Sequence, residues 1–352
     1  MQRYVWWGLV VAVALTAPRS ALAVIDEVTV RGAEKTVKGE VTKVTATEIT
    51  VKPTVGAAQT ISADDVLDVR WGDEPVKLRL ARVNEHNGNL TKALQAYQEA
   101  LAETKTQREF VKRDIEFLVA RALAKQALAD PTKLDQAIDK LTAFVRVAGD
   151  HFRYYQAVRL LGDAYLAKGE FDKAQQQFDT LAKAPWSAAK KLAQIRRARI
   201  LLARGDTAGA LQAFEQVISE PAASPADKER RQEALLGKAT VLVKNKQYDE
   251  ALKTIAIILK ETPPENSAIQ AEAYLRKGDC LEAQGRIKEA ILAYLHVPVL
   301  FAHEKAAHAE ALYHLARLWA AYDRPDRAEE ARSELLSNYP NSPWARKLQG
   351  GS

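Results

Sequence analysis

Residues 158–181 read VRLLGDAYLAKGEFDKAQQQFDTL. Val158, Leu161 and Tyr165 fall three and four apart, so they share one face of a first helix. Phe171, Ala174, Phe178 and Leu181 do the same for a second helix. Lys168-Gly169-Glu170 supplies the turn between them, with Gly169 suited to end a helix at positive φ. Gly162 and Ala174 are small where two antiparallel helices would touch most closely. The spacing predicts a helical hairpin.

The chain repeats this unit. Aligned on the small residue of the second helix, seven copies stand at Ala93, Ala137, Ala174, Ala210, Ala251, Ala290 and Ala328. Four residues later come Tyr97, Leu141, Phe178, Phe214, Ile255, Tyr294 and, against the pattern, Arg332. Successive anchors are 44, 37, 36, 41, 39 and 38 residues apart, a period that means a solenoid of stacked hairpins. The second unit departs most, because Ala129-Asp130-Pro131-Thr132 lengthens its turn. Prolines 185, 221, 225, 263, 264, 298 and 340 fall where hairpins should end, and Pro325 falls in the last turn.

The pattern of a large residue, then Leu161-Gly162 and Tyr165, then Ala174 and Phe178, resembles the tetratricopeptide repeat. The resemblance covers residues 76–348. It implies a right-handed superhelix whose concave face, lined by first helices, binds a peptide or another protein, and it implies no chemistry. Tyr339-Pro340-Asn341-Ser342-Pro343 is similar to junctions in exported bacterial repeat proteins of the outer-membrane assembly and Tol–Pal coordinating kind. A capping helix is expected from Trp344 to Leu348, and 349–352 as a flexible tail.

Residues 1–23 have the layout of a secretory signal. Arg3 precedes an apolar run from Tyr4 to Ala17, and Ala21-Leu22-Ala23 fits a small-x-small cleavage site. The run is short for a span of about 20 residues, so cleavage before Val24 is expected, with a retained anchor as the alternative. No Cys follows the site to carry a lipid. The expected location is therefore the periplasm or cell envelope, with no membrane span after cleavage. Cys280, the single cysteine, has no internal disulfide partner and reads as a structural thiol.

Residues 24–72 differ in kind. Valine and isoleucine recur there with a period near two, spaced by Thr, Lys and Glu and punctuated by Gly and Pro. Strands are expected at 27–31, 36–44, 47–53, 58–62 and 66–71, in a small module similar in pattern to SH3-like or Sm-like barrels. A core this small is marginal alone. It should dock on the first hairpin with Trp71 as anchor, across a hinge at 73–75.

The formal charge is +6, unevenly spread. Residues 24–75 hold six Lys/Arg against ten Asp/Glu, which leaves the helical array basic. Arg159, Arg199 and Lys244, from three neighbouring first helices, are expected to form a positive stripe in the groove that favours an acidic ligand. Arg197, Lys238 and Lys277 occupy one repeat position and suggest a second basic ladder. The alternative is that these side chains lay their stems over the interior and reach into solvent. With Asp163, Thr240, Asp279, Glu282, Tyr313 and Arg317, the three stripe residues make up the expected partner-binding surface. Its mixed signs do not match the Lys and Asn pattern of chaperone-tail clamps.

Nothing in the sequence argues for catalysis. His303 and His308 stand five apart and point about 140° from each other on a helix, so they cannot close on one metal. There is no phosphate-binding loop, dinucleotide fingerprint, nucleophile elbow or C-x-x-C. The even charge balance and core-placed aromatics also argue against nucleic acid. The expectation is a non-enzymatic, cofactor-free scaffold that captures an envelope protein or peptide in its groove. The alternative is a structural spacer that uses its ends and β module.

Overall fold

The computed structural model describes residues 24–33 and 36–350. The expected signal segment, 1–23, lies outside them. Among the described residues five strands come first: β1 (Asp26–Val30), β2 (Val37–Val44), β3 (Glu48–Lys52), β4 (Gln59–Ser62) and β5 (Val66–Arg70). They form one antiparallel sheet in the order β4-β3-β2-β1-β5, each strand within a residue or so of its expected place. Alternate residues point inward, so Val28, Val41, Ile49, Val51, Ile61, Val66 and Val69 are all buried. β2 serves two neighbours. Its first half pairs with β1 (Val28 opposite Val37), and its second half pairs with β3 (Val41 opposite Val51) past a bulge before Lys43. The bend brings Gly39 against β3, where a Cβ would lie 2.4 Å from the Lys52 carbonyl oxygen. Only glycine fits there.

Seven helical hairpins follow. They are α1 (Val76–His86) with α2 (Leu90–Glu103), α3 (Glu109–Ala129) with α4 (Leu134–Val147), and α5 (Tyr154–Lys168) with α6 (Phe171–Leu181). Then come α7 (Ser187–Ala203) with α8 (Thr207–Ser219), α9 (Pro225–Lys244) with α10 (Tyr248–Glu261), and α11 (Ser267–Ala283) with α12 (Ile287–Leu300). The last is α13 (Lys305–Ala321) with α14 (Pro325–Asn338), and α15 (Pro343–Leu348) caps the array. In the third hairpin Gly162 lies so close to Phe178 that a Cβ would sit 2.4 Å from the ring, and Gly169 ends α5 at φ 80°. Pro225, Pro325 and Pro343 each begin a helix, where the missing N–H costs nothing. Pro298 is the exception to the expected breaks. It stands inside the last turn of α12, and the helix ends only two residues later.

The β module and the first hairpins share one core. Trp71, expected to anchor on the first hairpin, is instead buried against Phe110 of α3 and Phe152 just before α5, with ring centroids 5.6 and 6.3 Å away. Asp26, also buried, accepts hydrogen bonds from the backbone N–H groups of Val41 and Gly72 and a two-pronged pair from Arg108 at 2.7 and 3.0 Å. One carboxylate thus ties β1, β2, the end of β5 and the start of α3 together.

The array also doubles back on itself. α13 packs against α3, and Ala129 at the end of α3 joins the apolar cluster of the last hairpins. Asn341 donates to Asp130 at 3.2 Å, and Gly88 sits against the backbone of His303. From the β module, Arg31 reaches Glu229 on α9, 198 residues away in sequence. The first helices consequently share a common inner side, the hollow of the curved array, and Arg31 ties the β module to the N-terminal end of α9.

Candidate functional site

The hollow is lined by the inner faces of first helices, and its charges are mostly matched to one another. Arg196 bridges neighbouring repeats, holding Asp163 of α5 at 2.7 Å and Glu233 of α9 at 2.9 Å. Asp163 also takes Arg159 at 3.1 Å, and Glu233 takes Arg230, which holds Glu229 at 2.9 Å. With Arg31 on Glu229, an unbroken chain of alternating charges runs from the β module to α5. Burial alone would raise the Glu233 carboxyl, but Arg230, Arg196 and Arg199 hold it down to about 2.

Arg199 lies one helical turn beyond Arg196 and makes no ion pair within 4 Å among the described residues. Burial, and then the like charge of Arg196, press its pKa below the usual arginine value. A partly buried guanidinium in that position gains from an anion brought to it.

Across the hollow the sign reverses. Arg276 on α11 is surrounded by Glu272 at 3.3 Å, Asp279 at 2.6 Å and Glu310 of α13. Burial raises the Glu310 carboxyl above its ordinary range despite Arg276. Asp279, Glu310 and His314 bring possible ligand atoms within 4.8 Å of one another. The Arg276 guanidinium lies among those carboxylates, one cation against three acids. The histidines do not gather. His308 is buried on the Tyr339 hydroxyl, His296 stacks on Tyr274 and His314 stacks on Tyr294.

The residues expected to line the groove have separate fates. Arg159, Asp163 and Arg199 do sit together. Lys244 stands exposed at the far end of α9 and donates to the Leu202 carbonyl at 3.2 Å. Thr240 turns its hydroxyl back to Leu236, as helix threonines do. Asp279 and Glu282 both accept from the Tyr294 hydroxyl, and Glu282 also takes Arg317 at 3.3 Å. Tyr313 is not in the groove. It is buried beneath Trp344 of α15, centroids 5.2 Å apart, because the cap occupies the place of a next first helix.

The expected positive stripe is therefore reduced to Arg199, since Asp163 neutralises Arg159. Nor do Arg197 and Lys238 form a free ladder. They pair with Asp179 and Glu215 on the preceding second helices. The acids at Glu233, Glu272 and Glu310 were not anticipated, although they recur at intervals of 39 and 38, the repeat period itself.

Residues 191–298 match the family model for a tetratricopeptide repeat-like domain, and residues 73–107 match a second tetratricopeptide repeat model. Tetratricopeptide repeats are thus shown over these two stretches of the helical array. No curated protein matches the chain. A tetratricopeptide repeat protein from Parabacteroides merdae is similar at 17% identity and TM-score 0.47, over 78% of this chain and 96% of that one. A Rap protein solved in complex with competence and sporulation factor is similar at 16% identity and TM-score 0.48, over 77% of each chain. PilW, a type IV pilus biogenesis factor, shares 17% identity at TM-score 0.41, over 66% of this chain and 97% of its own. These are likenesses of fold alone.

Proposed function

We propose that this is a non-enzymatic scaffold of the bacterial cell envelope, and that its hollow takes an extended acidic segment of a partner protein. The observation that carries the reading is Arg199. It is the one member of the basic group Arg159, Arg196 and Arg199 without an ion-pair partner among the described residues. The lining is crowded, with side-chain exposures of 8% at Arg196 and 14% at Glu233, so an extended segment suits the hollow better than a folded domain. Arg31 on Glu229 ties the β module to the N-terminal end of α9, and on this reading the segment enters from the opposite end, past the exposed Lys244. The envelope assignment rests on the signal-like residues 1–23, and among the described residues no helix is long and apolar enough to cross a membrane.

A photo-crosslinking amino acid at the entrance position of Lys244 tests this in intact cells. The expected result is one adduct to an acidic segment, lost in Arg199→Glu and retained in Lys253→Glu on the outer face. With purified components, capture should weaken steeply with salt, because charges are screened over a Debye length of about 8 Å at physiological ionic strength. An adduct unchanged by Arg199→Glu overturns groove binding. N-terminal sequencing from the envelope fraction should begin at Val24, and intact Met1 in the cytoplasm overturns export.

A further inference from the structure

The first helices of this array bury one particular face. On α7 it is Ala193 and Ile200, packed in one cluster with Phe178 of α6. On α9 it is Ala234 and Val241, packed with Phe214 of α8. On α13 it is Ala311 and Leu318, packed with Tyr294 of α12. In each case the pair stands five before and two after the small residue of the first helix (Ala198, Ala239 or Ala316), and the second helix of the preceding hairpin covers it.

In α1 the small residue is Ala81, which a buried hydrogen bond places. Tyr97 donates to Glu85, as Tyr294 donates to Glu282 in the sixth hairpin, each acid lying four residues after its small residue. The equivalent pair in α1 is therefore Val76 and Val83. Among the described residues no helix precedes α1 to cover them. Val76, Leu80 and Val83 are 78, 56 and 57% exposed and form a stripe at spacing i, i+4, i+7. At the other end of the array, α15 closes α13, and α14 turns Arg327, Glu330 and Arg332 to solvent. A repeat array needs polar terminal faces, and among the described residues the C-terminal end has such a face while α1 presents an apolar one.

We infer that the Val76–Leu80–Val83 stripe docks an amphipathic helix of a partner protein, seated as the second helix of a hairpin before the first. The repeated interfaces within the chain show what covers this register, and it is a helix each time. They also show its charge. Second helices offer Asp179 to Arg197 and Glu215 to Lys238 across the junction, one position before the small residue; α1 has Leu80 at that position and its cation one residue earlier, at Arg79. Arg79, in the middle of the stripe, is 72% exposed and has Glu74 only at 3.8 Å, while Glu74 is held by Arg82 at 2.8 Å. The docking helix should carry apolar residues three or four apart and a carboxylate facing Arg79. A second copy stacked end to end does not supply this, because its free C-terminal end is the polar α14 and the cap. This surface is separate from the hollow and does not depend on its reading.

The test is a photo-crosslinking amino acid at Leu80 in the full-length protein in cells, with adducts mapped to the residue. The expected adduct is one amphipathic helix of another protein bearing an acid. It should be lost in Val83→Glu and reduced in Arg79→Glu, yet unchanged in Arg199→Glu. A synthetic peptide of that helix should bind the purified protein at least tenfold more weakly when Val83→Glu is present. Equal melting temperatures of variant and wild type show that the loss is not misfolding. An adduct to a second copy, to residues 1–23 or to lipid overturns the proposal, as does the absence of any adduct.

Discussion

Trp71 donates its indole N–H to Asp114 at 2.9 Å, and the other oxygen of that buried carboxylate takes Arg153 at 2.8 Å. Arg153 is itself buried and lies 4.6 Å over the Phe152 ring. Burial would raise the Asp114 carboxyl, but Arg153 and then His151 hold it below its ordinary value. The β module is joined to the array through a buried charge, so the joint depends on that bond. Trp71→Phe keeps an aromatic ring and leaves one carboxylate oxygen unsatisfied, a cost of about 1–3 kcal/mol. Thermal melting should fall accordingly. Residues 24–72 expressed alone should lack a sharp melt, and an independent sharp transition refutes this.

Gly162 and Phe178 allow a cleaner test. Any Cβ at 162 would meet the ring at 2.4 Å, so even Gly162→Ala overpacks the contact. The helix propensity of alanine favours the change by about 1 kcal/mol, while overpacking costs about 1–3 kcal/mol. Net destabilisation is expected from denaturant midpoints. A stabilised Gly162→Ala variant shows that the ring moves freely aside.

Stability should fall in mild acid. Burial lowers the His151 imidazole from its ordinary value near 6.5 to about 4, and does the same to His308. Both stay neutral when folded while the unfolded chain takes up protons below pH 6.5. Their contribution is therefore present above pH 6.5 and lost as pH falls toward 4, on the order of 3 kcal/mol for each histidine. Denaturation at pH 7.5 and 5 should show the drop, and His151→Gln should flatten it. An unchanged slope in that variant assigns the acid sensitivity elsewhere.

Cys280 should be inert in the native protein. It is buried, and burial, then the nearby Asp279 charge, push its thiol up to about 12. Ellman's reagent should label it only after denaturation, since the thiolate is the reactive form. Rapid labelling of folded protein means that α11 opens locally.

Period and spacing carried the architecture. Glycines 162 and 278 face Phe178 and Tyr294 because hairpin packing is local and recurs. Strand limits followed from alternation, a property of a few adjacent residues. The candidate site was only half legible. Arg199 and Asp163 were visible as positions on a concave face, but their pairing was not. Glu233, Glu272 and Glu310 look like an ordinary solvated helix surface until the helices curve round, bringing Glu233 and Glu310 beside an arginine of a neighbouring helix while Glu272 pairs with Arg276 of its own. Tyr313 was misplaced for a different reason: its equivalents Ile195, Leu236 and Leu275 are buried in the core between repeats, and at the end of the array the six-residue cap supplies that cover. Arg31 and Glu229 could not have been paired from sequence, because their meeting depends on the summed curvature of four intervening hairpins.

An open repeat array behaves as a line of nearest neighbours, fraying from its ends and tolerating loss of a terminal unit. The contacts of Asn341 with Asp130 and of Gly88 with His303 remove that freedom. Deleting the last hairpin strips cover from the end of α3, and deleting the first strips cover from the start of α13. Both termini therefore belong to one cooperative unit, and a chain shortened at either end should lose amide-exchange protection at the opposite one.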